Sequence, residues 1–467
     1  MADSNSPFRP SLSSKIYERY SAQFSHSNKH NRQELIGWSL LGITVLALAG
    51  VMALLVAMSR IPGIEQFPFW PIDFFQKGLV IHVIFSFIVW FFAVFGALLC
   101  IGSANLSNSK LGLINLSLVI LASISLAIPA FTGSGSASLN NYVPTIINPT
   151  FYGGLFVLVV ALAAQAIRLL ASTFFKREPS NLFKLMITLA AILFCIALIC
   201  LVIAGSHLSD EPLSEAFNEN LFWGFGHALQ FSNVALLVAA WVYLANSCGI
   251  HLAPVAFKIS IGILLLGALC APVFYTVYEP FSAAHQLAFT NLQYIFAPAT
   301  GLIIATVLVA VVRHGRPYQW QNPAFLTLML SIFVFSIGGF LGLFVDGADT
   351  RTPAHYHGVI AGINLAFMGL YYSLFLPLLD RAVTVTKIIY LQIGLFAGGQ
   401  TLASIGLFLA GGYGVPRKVA GADQELELFG AYAGMAMNGV GAIIAIVGGV
   451  LFIWSMARAL LKKSSAH

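Results

Sequence analysis

Twelve stretches of roughly 20 or more predominantly apolar residues punctuate the chain, at 36–58, 78–101, 112–132, 151–172, 183–206, 221–245, 256–286, 291–313, 324–345, 353–379, 387–411 and 429–457. A helix rises about 1.5 Å per residue, so each stretch can cross the ~30 Å hydrocarbon core of a bilayer. With 58% apolar residues, 9% charged residues and a mean hydropathy of +0.87, the chain lacks the polar residues that would cover a soluble fold. The expected fold is an all-α membrane protein with twelve transmembrane helices. The first 34 residues are polar and include Arg9, Lys15, Arg19, Lys29 and Arg32. They lack the short apolar core and cleavage site of a signal peptide, which predicts that the first span is retained. The expected organisation is a polar tail at 1–34, a transmembrane domain at 35–460 and a second tail at 461–467.

Charge sets the expected orientation. If the N-terminus is inside, only Arg60, Lys77, Arg351, Arg417 and Lys418 of the 23 Lys and Arg fall in outer loops. Acidic residues are biased the other way, with Asp210, Glu211, Glu215 and Glu219 clustered in one outer loop. This predicts an even number of spans with both termini cytoplasmic. The +6 balance is then a topology signal, and nothing points to nucleic acid. The five cysteines form no CxxC pair and no haem-attachment motif, so buried structural thiols are expected.

The histidines differ from one another in depth. His26, His30, His251, His314 and His467 fall in tails or near inner loops, and His207 at an outer mouth. His82, His227, His285, His355 and His357 instead fall in one slab roughly 5–10 Å below the outer interface, on four predicted helices. Independent core histidines would scatter in depth, and ionisable groups inside a membrane are costly. A layer of metal or haem ligands is the better explanation. His355 and His357 are two residues apart, so they leave their helix about 200° apart around its axis. They cannot easily share one metal, but each can serve a cofactor on its own side.

Several segments carrying these histidines resemble subunit I of the haem-copper oxidase superfamily. "SIFVFSIGGFLGLFVDGADTRTPAHYHGVIAGINLAFMGLYYSLFLPLL" is similar to that family's Gly-Gly helix followed by its His-x-His helix. "LFWGFGHALQF" resembles its Leu-Phe-Trp-x-x-Gly-His segment, "QKGLVIHVIFSFIVWFFAVFG" its low-spin haem helix, and "GGYGVPRKVAG" its Pro-Arg-Arg turn. The resemblance implies a dihaem membrane oxidoreductase of the bacterial cytoplasmic membrane. His82 and His357 would be the axial ligands of a low-spin haem. His355 would be the proximal ligand of a high-spin haem that binds a diatomic gas, O2 or NO. His227 and His285, with Gln286 as a further candidate, would hold a second metal, copper or another. Arg417 and Lys418 would pair with haem propionates, although Lys418 loses the bidentate fork of arginine. No CuA or c-type haem motif is present, so the implied partners are a small electron-entry subunit of CuA or cytochrome c type and an outer-side cytochrome c or similar donor.

The chain departs from the family pattern at the second metal. In "EPFSAAHQLAF" one histidine, His285, stands where the family has two in succession; the neighbour is Ala284 or Gln286, depending on the register. Copper sites of this kind want three nitrogen ligands. Phe231 occupies the position of the family tyrosine on the sixth span, which leaves Tyr278, seven residues before His285, as a candidate proton and electron donor. Glu279 is a second candidate, of the kind nitric oxide reductases place beside a non-haem iron. Leu229 and Leu302 stand where proton-conducting groups are expected, leaving Thr300, Thr306, Ser331 and Ser336 as candidates for a water wire. The rival readings are a nitric oxide reductase branch, a haem-binding electron-transfer or assembly subunit that has lost gas reduction, and, more distantly, a transporter.

Overall fold

The computed structural model describes residues 15–25, 28–60, 74–104, 110–176, 181–345 and 347–462. The outer parts of both expected tails, with His26 and His467, lie outside them. Among the described residues, twelve helices are long and apolar enough to cross a bilayer. They are α1 (Lys29–Met58), α2 (Phe75–Gly102), α3 (Leu111–Phe131), α4 (Pro149–Phe175), α5 (Leu182–His207), α6 (Glu215–Ser247), α7 (Pro254–Val277), α8 (Ala283–His314), α9 (Pro323–Phe344), α10 (Arg351–Leu378), α11 (Lys387–Gly412) and α12 (Phe429–Leu461).

Two of the boundaries that differ from the sequence expectation have a clear physical reason. Helix α1 starts at Lys29, inside the expected polar tail, because its first turns bury their polar groups against partners. Glu34 accepts two 2.8 Å hydrogen bonds from Nη1 of Arg168 and one of 2.5 Å from Gln165, which in turn accepts from Asn115. All four side chains are buried. The seventh helix ends at Val277 rather than running on to 286. Pro280 disfavours helical backbone in the residue before it, Tyr278 is extended, and Phe281 takes a φ of +68°. The chain re-enters a helix at Ala283, where the Ser282 hydroxyl caps the His285 N–H. His285 therefore belongs to the first turn of α8, not to the end of α7.

Two compact units are present. The first comprises the later part of α1, the earlier part of α2 and α9–α12. Small residues let its backbones meet. A Cβ on Gly406 of α11 would lie 2.5 Å from the Asn438 nitrogen of α12, and small residues of this kind drive close helix association in lipid. The second unit comprises the start of α1, the rest of α2 and α3–α8. Between α3 and α4 it carries a hairpin, β1 (Ser136–Ser138) paired with β2 (Thr145–Ile147). Its α3 exposes Ile114, Leu121, Ile124 and Ile128, a stripe suited to lipid. Helices α2, α6 and α10 carry four of the five deep histidines and are the most buried, with 89%, 94% and 83% of their apolar windows covered. Lipid-facing helices would show one bare side, so these three are interior elements.

Candidate functional site

In the first unit, His82 and His355 are each held through one ring nitrogen. His82 Nδ1 donates to the Ala49 carbonyl of α1 at 3.0 Å, and α2 opens into a π-turn over Ile84–Val89 just beyond it. Such single π-turns recur at functional positions. His355 Nδ1 donates to the Gly338 carbonyl of α9 at 2.8 Å. That bond exists because Gly338 and Gly358 bring α9 and α10 into backbone contact, with no room for a Cβ at either. Gly342 makes similar room, since a Cβ there would come within 2.5 Å of His355 Nδ1. A carbonyl acceptor on Nδ1 fixes the proton there and leaves the Nε2 lone pair for a metal, the usual arrangement of ligating histidines. His357, two residues on, stacks its ring on Tyr356 (centroids 5.2 Å apart, planes at 29°) and lies in the electrostatic field of His82 and Arg60.

Beside these histidines the unit gathers cations. Thr350, just before α10, donates its N–H to the Val415 carbonyl at 3.0 Å, and Asp349 bridges to Pro416. The half-buried Arg417 and Lys418 follow immediately. The same turn holds Arg60, because Gly421 N–H reaches the Ser59 carbonyl and the Gln424 side chain donates to the Arg60 carbonyl at 2.7 Å. Nε of Arg60 is buried without a hydrogen-bond partner. Burial also pulls its guanidinium below the ordinary value, although an arginine remains protonated. A half-buried arginine whose Nε is buried without a partner calls for an anion. Its sequence signal was only its place among the few outer cations. The chemistry of this donor set, with two fixed imidazoles and cations converging on one end of α10, fits haem and its propionates.

The second unit holds the other two histidines. On α6, His227 donates from Nδ1 to the Trp223 carbonyl at 2.7 Å. Its ring packs against Trp223, Phe289 and Tyr142, with the Tyr142 centroid 4.6 Å away. Tyr142 comes from the tip of the β1–β2 hairpin, not from a helix, and no spacing in the sequence links it to His227. Its phenol oxygen accepts from the Gln293 side chain at 2.6 Å, and burial pushes its pKa well above the ordinary value, so it stays protonated.

His285 packs against Tyr275, whose ring centroid is 4.6 Å away, and also meets Phe281 and Phe289. The tyrosine packed on His285 is thus Tyr275, whereas Tyr278 and Glu279 are exposed. The expectation for Tyr278 treated 278 and 285 as one continuous helix, and the break at 278–282 removes that phase relation. Gln286 places its main-chain carbonyl 3.3 Å from the Trp223 indole N–H.

The donor set around these two histidines fits a resident second metal poorly. No group of three or more His, Cys, Asp or Glu side chains suited to an ion occurs among the described residues. Nε2 of His285 is buried and unpartnered. Three of the four hydroxyls named for a water wire are committed, since Thr300, Thr306 and Ser331 donate to the carbonyls of Phe296, Leu302 and Gly362 at 2.6–2.7 Å.

Comparison with known proteins places the chain in a family. Residues 35–451 match the family "Cytochrome C and Quinol oxidase polypeptide I". An uncharacterised protein of Rickettsia prowazekii (strain Madrid E) is 25% identical over 505 aligned residues, covering 93% of this chain and 98% of the relative. One of Aquifex aeolicus (strain VF5) is 29% identical over 339 residues, covering 71% of this chain and 82% of the relative. A haem-copper terminal oxidase dimer solved by cryo-electron microscopy superposes with a TM-score of 0.78 at 18% identity, over 94% of this chain and 85% of that one, and so shares the fold. Twelve apolar helices and a family match over most of the chain make this a multi-pass membrane oxidoreductase of the cytochrome c and quinol oxidase polypeptide I family, within the haem-copper oxidase superfamily.

Proposed function

We propose that the chain passes electrons from a low-spin haem held by His82 and His357 to a high-spin haem held by His355, where O2 or NO is reduced. The observation that carries this reading is the pair of carbonyl-anchored imidazoles, His82 on Ala49 and His355 on Gly338. Haem supplies the redox iron and the open coordination position for a gas. The protein's own groups do the rest. The carbonyls of Ala49 and Gly338 hold each ring's tautomer and orientation and raise its basicity as a ligand. The two sides of one helix separate His355 from His357, so the two irons would be joined by the short Tyr356 step. Arg60, Arg417 and Lys418 neutralise propionates and hold the low-spin centre at a more oxidising potential.

Electrons enter from the outer side in this reading, delivered by a small subunit carrying CuA or a c-type haem, or by a cytochrome c. The exposed Asp210, Glu211 and Glu215 suit a basic donor. Gas uptake by the purified complex with a reduced donor tests the reading. Consumption of O2 or NO, abolished in His355→Ala, is expected, and absence of uptake of either gas by a preparation holding both haems contradicts it. A nitric oxide reductase reading is favoured by one observation, the buried Phe231 where the sixth-span tyrosine would stand, and the ratio of NO to O2 uptake decides between the two.

A further inference from the structure

We infer that the second unit binds an anionic phospholipid where α1 and α3 begin side by side: His30 and Lys110 hold the phosphate, and one acyl chain lies along α3. This goes beyond the dihaem reading and does not rest on it.

A groove of about 420 Å³ runs between the first turn of α1 and the first two turns of α3, lined by His30, Lys110, Leu113, Ile114, Ser117 and Leu118. All six residues belong to one compact unit. The two helices are fixed against each other beside it, because Gly37 makes room for Leu116 and Gly112 for the Glu34 carboxylate. The lining changes character along its length. At one end stand the half-buried His30 and the exposed Lys110, with the exposed Lys29 next to His30 in the chain. Further along α3, Leu113, Ile114 and Leu118 are hydrocarbon, and the Ser117 hydroxyl is spent on the Leu113 carbonyl at 2.9 Å. Ile114 also begins the exposed stripe of Leu121, Ile124 and Ile128. The apolar part of the groove therefore continues into a surface suited to acyl chains.

The polar end calls for an anion. Lys110 supplies a full positive charge directly before α3, where the helix dipole adds to it. Nδ1 of His30 is buried without a hydrogen-bond partner, a state that buried ring nitrogens seldom keep. The neighbouring carboxylate does not oppose an anion, since Glu34 is neutralised by Arg168 at 2.8 Å. A free phosphate would answer the cations and leave the hydrocarbon wall uncovered. An apolar partner helix would cover the wall and leave the cations unmatched. A phospholipid of net negative charge answers both ends with one molecule. The loop charges assign this end of α1 and α3 to the cytoplasmic leaflet, where anionic headgroups meet basic pockets between helices.

The test is native mass spectrometry of the intact purified protein, delipidated in detergent and titrated with phosphatidylglycerol, phosphatidylcholine or inorganic phosphate. Phosphatidylglycerol should be retained in preference to phosphatidylcholine, and inorganic phosphate at equal concentration should not displace it. Lys110→Gln should weaken its retention about fivefold, the share of one lysine at an anionic headgroup. His30→Leu, which keeps an apolar side chain but no ring nitrogen, should weaken it as well. Lys110 is exposed, so its substitution leaves the packing of α1 on α3 intact. Lys462→Gln, at an exposed cation of the other unit, is the control and should leave retention unchanged. Equal retention of the two lipids removes charge recognition and overturns the inference. Displacement by inorganic phosphate removes the acyl chain from the site and overturns it too. Equal weakening in Lys110→Gln and Lys462→Gln, or unmoved retention in both Lys110→Gln and His30→Leu, shows lipid held by general surface charge and overturns it as well.

Discussion

The Nδ1 atom of His355 on α10 donates to the carbonyl of Gly338 on α9 across 2.8 Å, at the point where the two helices are in backbone contact. The bond ties a ligand's orientation to the packing of two helices. Gly338→Val inserts a branched side chain where Gly358 and Val359 already lie. Overpacking of this kind costs about 1–3 kcal/mol, and the displaced carbonyl releases His355. Carbon monoxide binding should weaken while the low-spin band persists. A difference spectrum with carbon monoxide checks this, and equal loss of both signals would show that Gly338 serves general stability only.

Arg60 tests the electrostatic half of the account. Its Nε is buried and unpaired, and it lies in the field of His82, His357 and Tyr356. Removing one nearby positive charge should make the low-spin haem harder to reduce, by roughly 50–100 mV for a charge several ångström away in a medium of intermediate polarity. Arg60→Leu should lower the midpoint potential of the low-spin centre by that amount, and Arg60→Lys by less. A redox titration followed at the low-spin band measures both, and an unmoved potential in Arg60→Leu removes Arg60 from the site.

The ion pair between Glu34 and Arg168 gives a prediction about folding that is separate from redox chemistry. Their side chains are 2% and 3% exposed and meet at 2.8 Å. Breaking a buried pair by removing one partner costs about 3–5 kcal/mol, because the other charge is left uncompensated. Arg168→Ala should therefore lower thermal stability sharply. The double variant Glu34→Leu with Arg168→Met should recover most of the loss, and thermal unfolding of the detergent-solubilised protein distinguishes the two outcomes. Equal stability of the two variants would mean that the charges act independently.

How far the sequence was legible depended on the kind of signal. Helix number and order followed from apolar length, a strong and local property. The separation of His355 from His357 followed from helical phase, and holds because α10 is continuous through both residues. Phase failed at Tyr278, where the Pro280 break ended α7 and brought Tyr275 against His285 instead. Glu34 was read as part of a solvated tail because hydropathy cannot see that Arg168, more than 130 positions away, will neutralise it. Tyr142 and Arg60 were invisible as site residues for the same reason. Both sit in loops, where position is set by tertiary partners such as Glu219, Gln293 and Gln424 and not by any repeat in the chain.

The central claim is that α10 serves two haems, one through each histidine. Optical spectra and haem content of His82→Ala and His355→Ala, each compared with the unsubstituted protein, test it most directly. Two haems per chain are predicted for the unsubstituted protein. His355→Ala should lose carbon monoxide binding and keep the low-spin band, and His82→Ala should lose the low-spin band and keep carbon monoxide binding. Loss of the same band in both variants, or a single haem per chain before any substitution, would contradict the account.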